Sequence, residues 1–277
     1  MAELPASASI WAVPAYLPHV QPTLTESARQ QIEELLGHRL PAEYLEVLRE
    51  QNGGYLRRRL PGHSHDVISG IGPQYPSLYR PDWSEVQDEV SFPLEGLIPF
   101  DGDGHWHLCF DYRGHSETPS ITHIDLESDT QTLVASSFAE YLRLLVIPVE
   151  EGQFTLPAPK GLEELVGRLS ATLQLEFENL GADDQGYPIF RAAVGRSRQP
   201  EWIWVSPNQV PKAFVRADDN NFDALKERCA GMALRYPELP DTACLLEVTD
   251  GALPLLRSLT DPAWALTPLA RALPTGK

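Results

Sequence analysis

Four side chains capable of metal binding or acid–base chemistry alternate with apolar residues in one short segment: His105, His107, Cys109 and Asp111. Alternate side chains of an extended strand share a face. The pattern therefore predicts a strand over residues 105–112 with one apolar and one polar face. Imidazole, thiolate and carboxylate groups are ligands of zinc and related metals. One hypothesis is thus a metal-dependent hydrolase that uses His105, His107, Asp111 and His123, the last from a neighbouring strand.

Strand geometry and the surrounding sequence argue against that hypothesis. Consecutive same-face residues lie nearly 7 Å apart, so His105 and His107 reach one ion only if both rings lean inward. The preceding Asp101–Gly104 sequence begins like a calcium-binding loop but lacks its later ligands and terminal Glu. The chain also has no Gly-x-Ser-x-Gly elbow and no phosphate-binding Gly-rich loop. We predict no metal, no cofactor and no catalytic residues, and interpret the polar face as one that contacts solvent or a partner.

Two helices are predicted upstream of this segment. Thr25 is a suitable N-cap for a helix that ends at Leu36 before Gly37. Pro41 fits the first turn of a second helix, because the missing proline N–H costs nothing there. The sequence Asn52–Gly54 tolerates positive φ and predicts the end of that helix.

Downstream, a second strand is predicted over residues 121–126, because apolar and polar residues alternate there. Ser136 or Ser137 can cap the helix that follows. Shorter strands are predicted near residues 54–60 and 67–71, and a helical turn near residues 83–90. The order of these elements predicts an α+β fold.

At 277 residues, the chain is long enough for two globular domains. We predict an extended, proline-rich N-terminal arm over residues 1–22, a first domain over 23–147, a Pro-rich linker over 148–160 and a second, smaller α+β domain over 161–277. Within the second domain the predicted helices cover residues 162–169 and 222–236, and the predicted strands cover 172–177, 187–194, 201–205 and 242–248.

The net charge of −17 is concentrated in the first half of the chain. Residues 1–150 contain 22 acidic residues, nine Arg and no Lys, a net charge of −13, whereas residues 151–277 carry −4. Nucleic-acid binding requires clustered Lys and Arg, so this distribution argues against a nucleic-acid ligand. It favours a basic partner protein, because complementary potentials steer association.

Composition also bears on the compartment. The three cysteines, Cys109, Cys229 and Cys244, have no Cys-x-x-Cys spacing, which argues against a disulfide framework or a structural zinc site. No run of 18 apolar residues is present, and the N-terminus lacks the features of a signal peptide. We expect a soluble, cytoplasmic protein that does not bind a membrane.

Several of these motifs together resemble the SUKH superfamily, which includes bacterial immunity proteins and fungal regulators of cell-wall glucan synthesis. The resemblance covers about residues 23–145 and rests on motifs in family order: Leu-Pro-Ala-Glu-Tyr at 40–44, Asn-Gly-Gly at 52–54, Ile-Pro-Phe followed by Asp-Gly-Asp-Gly at 98–104, Asp-Tyr at 111–112 and Ser-Phe-Ala-Glu-Tyr-Leu at 137–142. It implies an α+β fold with a mixed or antiparallel sheet flanked by helices.

The resemblance further implies a non-catalytic protein that binds and neutralises a toxin, and many such toxins are nucleases. Combined with the acidic charge, it suggests a basic toxin domain as partner. The residues predicted to contact that partner lie on the polar strand face and the turn before it: Asp101, Asp103, His105, His107, Asp111 and Glu117. A housekeeping regulatory scaffold that meets no toxin is a second alternative beside the metal-dependent hydrolase.

Overall fold

The computed structural model describes residues 9–115, 117–182, 186–195, 199–256, 259 and 261–273. The chain divides into two compact units, and the division falls between Ile147 and Pro148. Residues 1–8 of the predicted N-terminal arm lie outside the described residues. The described part of the arm is held by aromatic side chains, because Trp11 and Tyr16 are both buried.

The first unit combines three helices with an antiparallel sheet. Its elements in chain order are β1 (Ala15–Tyr16), α1 (Glu26–Leu36), α2 (Ala42–Glu50), β2 (Gly54–Tyr55), β3 (Val67–Ile68), β4 (Leu97–Gly102), β5 (Trp106–Asp111), β6 (Ser120–Asp125), β7 (Thr130–Ala135) and α3 (Phe138–Leu144), with 3-10 turns at Leu17–His19 and Gln87–Glu89. Strands β4 to β7 form a four-stranded antiparallel meander in chain order, and β2 pairs with β3.

The meander is covered on both faces. One face carries Leu108, Phe110 and Ile121 and packs against the buried sides of all three helices. Tyr44 of α2 contacts the Phe110 ring edge-to-face, with ring centroids 5.0 Å apart. The opposite face carries Cys109 and packs in a smaller apolar cluster with residues of the irregular 83–97 segment. The α+β prediction is confirmed.

Local sequence signals set the helix ends as predicted. Thr25 Oγ1 accepts a hydrogen bond from Ala28 N at 3.1 Å, and Gly37 ends α1 with φ of 73°. Ser137 caps α3 by accepting from Glu140 N at 3.2 Å. These caps satisfy backbone groups that a helix terminus leaves without partners.

Asn52 fastens the end of α2 to a distant loop. The side chain is buried, donates to the carbonyls of Pro22 (2.6 Å) and Ile71 (2.9 Å), and accepts from Ile71 N at 2.8 Å. The next residue, Gly53, has φ of 87°, and a Cβ atom there would lie 2.6 Å from Gly70 N. Glycine is therefore required at position 53 both by conformation and by this close approach.

The second unit contains a six-stranded sheet and short helices. Its elements in chain order are β8 (Gln153–Pro157), α4 (Leu162–Leu173), β9 (Glu178–Asn179), β10 (Phe190–Val194), β11 (Glu201–Pro207), β12 (Gln209–Pro211), β13 (Ala213–Phe214), α5 (Phe222–Leu225), β14 (Met232–Leu234), β15 (Ala243–Val248), α6 (Leu253–Leu256), β16 (Thr267–Pro268) and α7 (Leu269–Ala272), with 3-10 turns at Lys226–Cys229, Asp250–Ala252 and Pro262–Trp264. The sheet order is β16-β8-β15-β11-β10-β9, and β12 pairs with β14.

A buried asparagine also anchors the second unit. Asn208 is fully buried between β11 and β12, donates to the carbonyls of Tyr236 (3.1 Å) and Pro240 (3.0 Å), and accepts from Tyr236 N at 2.9 Å. The core of this unit forms where α4 packs on the sheet through Leu165 and Leu169.

Three predictions for this half are wrong. The segment 148–160 is not a linker, because it contains β8, which pairs with both β15 and β16. The predicted strand over 172–177 is replaced by the end of α4, whose C-cap is Gln174. The predicted helix over 222–236 ends early, because Gly231 adopts φ of 101° and Met232–Leu234 pairs as β14 with β12.

Candidate functional site

Two adjacent turns at one end of the meander form an acidic surface. The first joins β4 to β5 and contains Asp103 and His105, and the second joins β6 to β7 and contains Glu127 and Asp129. Trp106 pairs with Asp125, and Leu126 N donates to His105 O at 2.8 Å, so the turns lie side by side. We refer to Asp103, His105, Asp125, Glu127 and Asp129 together as the acidic tip.

Backbone donors hold the carboxylates of the tip in place. Asp103 Oδ1 accepts from His105 N at 2.9 Å and from Trp106 N at 3.1 Å, and the Trp106 bond is the main cause of a lowered Asp103 pKa. Asp125 Oδ1 accepts from Ser128 N at 2.8 Å, which likewise lowers the Asp125 pKa. Hydrogen bonds to the ionised form favour that form. Asp103 and Asp125 therefore keep their negative charges at neutral pH.

The chain segments that form the tip contain no basic residue that could balance its negative charge. Residues 101–112 and 120–135, which build the tip and its strands, contain no Lys or Arg. His105 Nδ1 lies 2.8 Å from Glu127 Oε1, but both side chains are about two-thirds exposed, at 66% and 72%. A contact this exposed is weak. The tip is therefore able to exchange these contacts for a cationic partner.

The prediction that the second face of β5 is an exposed polar face is wrong. His107 is only 7% exposed and Cys109 is fully buried, because Phe92 and Leu94 pack over this face. This covering segment is irregular, which is why no periodic pattern indicated it.

His107 is an uncharged packing residue. Its ring lies 5.6 Å from that of Trp83. Burial lowers the His107 pKa, and the attraction of Asp103 and Asp101 only partly opposes that effect. Neutral imidazole is therefore the form that the fold favours.

Asp111 is half-buried, in a network at the opposite end of β5 from the tip. Arg113 donates to both carboxylate oxygens, from Nε at 2.9 Å and Nη2 at 2.6 Å, and Thr122 Oγ1 donates at 2.9 Å. Burial alone would raise the Asp111 pKa, but these hydrogen bonds outweigh it and lower the pKa. Glu117 is exposed near the same end. Since six-residue β5 is roughly 20 Å long, neither carboxylate shares a site with Asp103 or His105.

Asp101 is partnered inside the protein rather than presented to solvent. A bulge between Pro99 and Asp101 places Asp101 opposite Leu108, on the helix-covered face. Its Oδ2 lies 2.5 Å from Nδ1 of buried His65, and His65 Nε2 bonds Tyr141 Oη. Burial, reinforced by the Asp101 charge, raises the pKa of Tyr141 well above its ordinary value. His65 and Tyr141 were missed from the sequence because their pairing spans three distant segments.

The register of β6 separates the side chains that the hydrolase hypothesis requires. His123 pairs directly with Leu108, so it lies on the helix-covered face and stacks on Trp106 with ring centroids 5.6 Å apart. His107 pairs with Ile124 and points to the opposite face. Directly opposed residues share a face. His107 and His123 therefore lie on opposite faces of the sheet. Over the described residues, no three His, Cys, Asp or Glu side chains are grouped to hold a metal.

The second unit carries an aromatic strip on the sheet face opposite α4. The Arg191 guanidinium lies 4.4 Å from the centre of the Trp202 ring, and Trp202 and Trp204 have centroids 6.3 Å apart. Both tryptophans are only partly buried. Trp204 borders an open depression whose rim includes Glu247 and Asp250.

Comparisons with known proteins identify the first unit. Residues 23–144 match the family model of the SMI1 / KNR4 family (SUKH-1). No curated protein and no solved structure matched the chain. No helix within the described ranges is long and apolar enough to cross a membrane. The matched residues span α1 to α3 and the entire meander, so this chain carries a domain of the SUKH superfamily over residues 23–144.

Proposed function

We propose that this protein is an immunity protein that neutralises a basic toxin domain by binding it, without catalysis of its own. Many SUKH proteins act in this way, and the proposal extends that role to this chain. The observation that carries it is the acidic tip, where four carboxylates lie on or beside two adjacent turns. His107 is buried, and Asp111 and Asp101 are bonded to other side chains of the fold. Of the predicted residues, Asp103 and His105 therefore lie on the tip, and Glu117 lies at the opposite end of the sheet.

The proposed mechanism is electrostatic capture followed by occlusion. A concentrated negative surface accelerates encounter with a basic domain and orients it, and this effect weakens as salt screens the charges. A toxin that acts on nucleic acid needs a basic surface to hold phosphates. Covering that surface with the tip would exclude the substrate. We place this function in the cytoplasm, which suits the three free thiols of the chain.

The test replaces tip charges without disturbing the turns. The triple variant Asp103→Asn, Glu127→Gln, Asp129→Asn keeps amide oxygens that can accept the same backbone hydrogen bonds. The matched control Glu43→Gln, Glu46→Gln, Glu50→Gln removes three exposed charges from α2, so both variants change the formal charge from −17 to −14.

Each basic protein domain encoded beside the gene is tested for toxicity, for protection by this chain and for binding. We expect the tip variant to lower the association rate about tenfold at low salt and the control to change it less than twofold. Protection by both variants with equal rates would refute the tip as the binding surface. Absence of any neighbouring toxin that the chain protects against would favour the regulatory-scaffold alternative.

A further inference from the structure

The two outer strands of the meander differ in how their free edges are treated. The β4 edge contains Pro99, which has no N–H, and a bulge follows it. Ser69 N donates to Phe100 O at 2.8 Å, so a neighbouring segment also caps this edge. Prolines, bulges and covering segments are the usual devices that stop another strand from pairing with a sheet. The β4 edge therefore uses all three.

The β7 edge lacks most of this protection. Residues Thr130, Gln131, Thr132 and Leu133 are all exposed and include no charged residue and no proline. The register shifts beside Val134, so a bulge protects only the end of β7 nearest α3. Within the described ranges, β6 is the one strand that pairs with β7. A four-residue stretch, about 13 Å long, therefore presents unpaired backbone N–H and C=O groups to solvent.

An apolar side chain marks the same stretch. Leu133 is 66% exposed, the most exposed leucine among the large hydrophobic residues of the described chain. It pairs with Thr122 and lies on the face covered elsewhere by the 83–97 segment. Side chains directly opposite each other on adjacent strands contact. An added strand would therefore cover Leu133 with a residue of its own.

We propose that β7 binds an extended, basic segment of a partner protein as a fifth strand of the meander, with an apolar residue of that segment packed on Leu133. The surface follows from the edge alone, while the identity of the partner as a toxin rests on the proposed function. Such strand addition combines backbone hydrogen bonds for affinity with side-chain contacts for specificity.

Charge selects a basic segment over a second copy of this chain. The start of β7 follows Glu127 and Asp129, and near its end Ser136 N donates to Glu140 Oε2 at 2.7 Å. Parallel self-pairing would align the acidic starts with each other, and antiparallel pairing would bring each start towards Glu140 of the other copy. Like charges at close range oppose both arrangements. Arg113, which donates to Gln131 Oε1, is already paired with Asp111.

The probe is an acetylated eight-residue peptide of alternating lysine and valine, and its counterpart has glutamate in place of lysine. The full chain, uniformly labelled with ¹⁵N, is titrated with each peptide to millimolar concentration, and amide exchange and chemical shifts are followed by NMR. We expect the lysine peptide to slow exchange of the outward-facing amides of residues 130–133 several-fold. We expect the glutamate peptide to bind at least about tenfold more weakly.

Two exposed leucines supply a matched pair of variants. Leu133→Lys places a positive charge on the edge and should weaken binding of the lysine peptide about tenfold or more. Leu35→Lys makes the same change on α1, where the leucine is 54% exposed, and should leave binding unchanged. If Leu133→Lys unfolds the chain, Thr132→Lys replaces it as the edge variant.

Failure of this proposal is distinguishable from failure of the proposed function. No protection at β7, equal binding of both peptides, or equal loss in the two leucine variants would overturn the edge as a docking site. A dimer in sedimentation that Leu133→Lys dissociates would show that a second copy is the occupant. A toxin that binds Leu133→Lys as well as the native chain would refute strand addition and leave the immunity function standing.

Discussion

Replacing either buried anchoring asparagine should destabilise one unit selectively. Asn52→Ala removes three hydrogen bonds, leaving Ile71 N without its acceptor and the carbonyls of Pro22 and Ile71 without their amide donor. A buried polar group left without a partner lowers stability by about 1–3 kcal/mol, and each of the two carbonyls contributes a loss near the lower end of that range. We expect a loss of about 3 kcal/mol from the first unit. For a unit of about 140 residues this corresponds to a fall in Tm of about 10 °C.

Asn208→Ala is the equivalent change in the second unit. It removes the acceptor of Tyr236 N and the donor of the Tyr236 and Pro240 carbonyls, so a loss of similar size is expected there. Hydrogen exchange read by mass spectrometry during urea unfolding follows the two units separately. Asn179→Ala is the control, since Asn179 is exposed and its side chain accepts a turn bond from Gly181 N.

The outcome also tests whether the units fold independently, which we propose from the division of contacts at Ile147. Asn52→Ala should speed exchange in residues 10–147 and leave the second unit at its native midpoint. If Asn52→Ala lowered the free energy of unfolding by less than about 1 kcal/mol, the stabilising role of the three Asn52 hydrogen bonds would be refuted. Equal destabilisation of both units by each variant would refute independence, because it would mean that the chain unfolds as one cooperative body.

Three further predictions concern groups inside the first unit. Burial lowers the His107 pKa below its ordinary 6.5, so the unfolded chain binds the proton more readily than the folded chain. The free energy of unfolding should therefore fall as pH decreases below about 6.5. His107→Leu should flatten that pH dependence in urea titrations. Asp111→Asn should cost about 2 kcal/mol at pH 7, because Arg113 loses its ionic partner. As the Asp111 pKa is lowered in the fold, the difference should shrink progressively in chemical denaturation as pH falls below the ordinary Asp value of 3.8. Tyr141→Phe should cost about 1–2 kcal/mol by thermal melting, because buried His65 Nε2 loses its partner; an unchanged Tm would contradict that pairing.

The sequence was most informative where structure is decided locally. Thr25, Gly37 and Ser137 end their helices as predicted, because a cap depends on residues within one turn. The two central strands, β5 and β6, were predicted from their alternation for the same reason. The family motifs also led to the correct superfamily assignment.

The outer strands were not predicted because their patterns carry no periodic signal. In β4, Pro99 and the bulge interrupt the alternation, and in β7 the successive residues Thr130, Gln131 and Thr132 place polar side chains on both faces. The face of β5 was misjudged for a different reason. His107, Cys109 and Asp111 have the same spacing whether or not they are covered, and the segment that covers them is irregular and distant in sequence.

The contrast between the two edges of the meander limits how far such a sheet can grow. A β-sheet polymerises only if every added subunit offers a new edge to the next. Here, in the described part of the first unit, β4 is closed by Pro99, its bulge and Ser69, so any strand that occupies β7 ends the series. One acceptor edge per domain predicts a saturable 1:1 stoichiometry with a strand-donating partner. It also gives resistance to fibre formation by sheet extension, since association of this kind stops at two subunits.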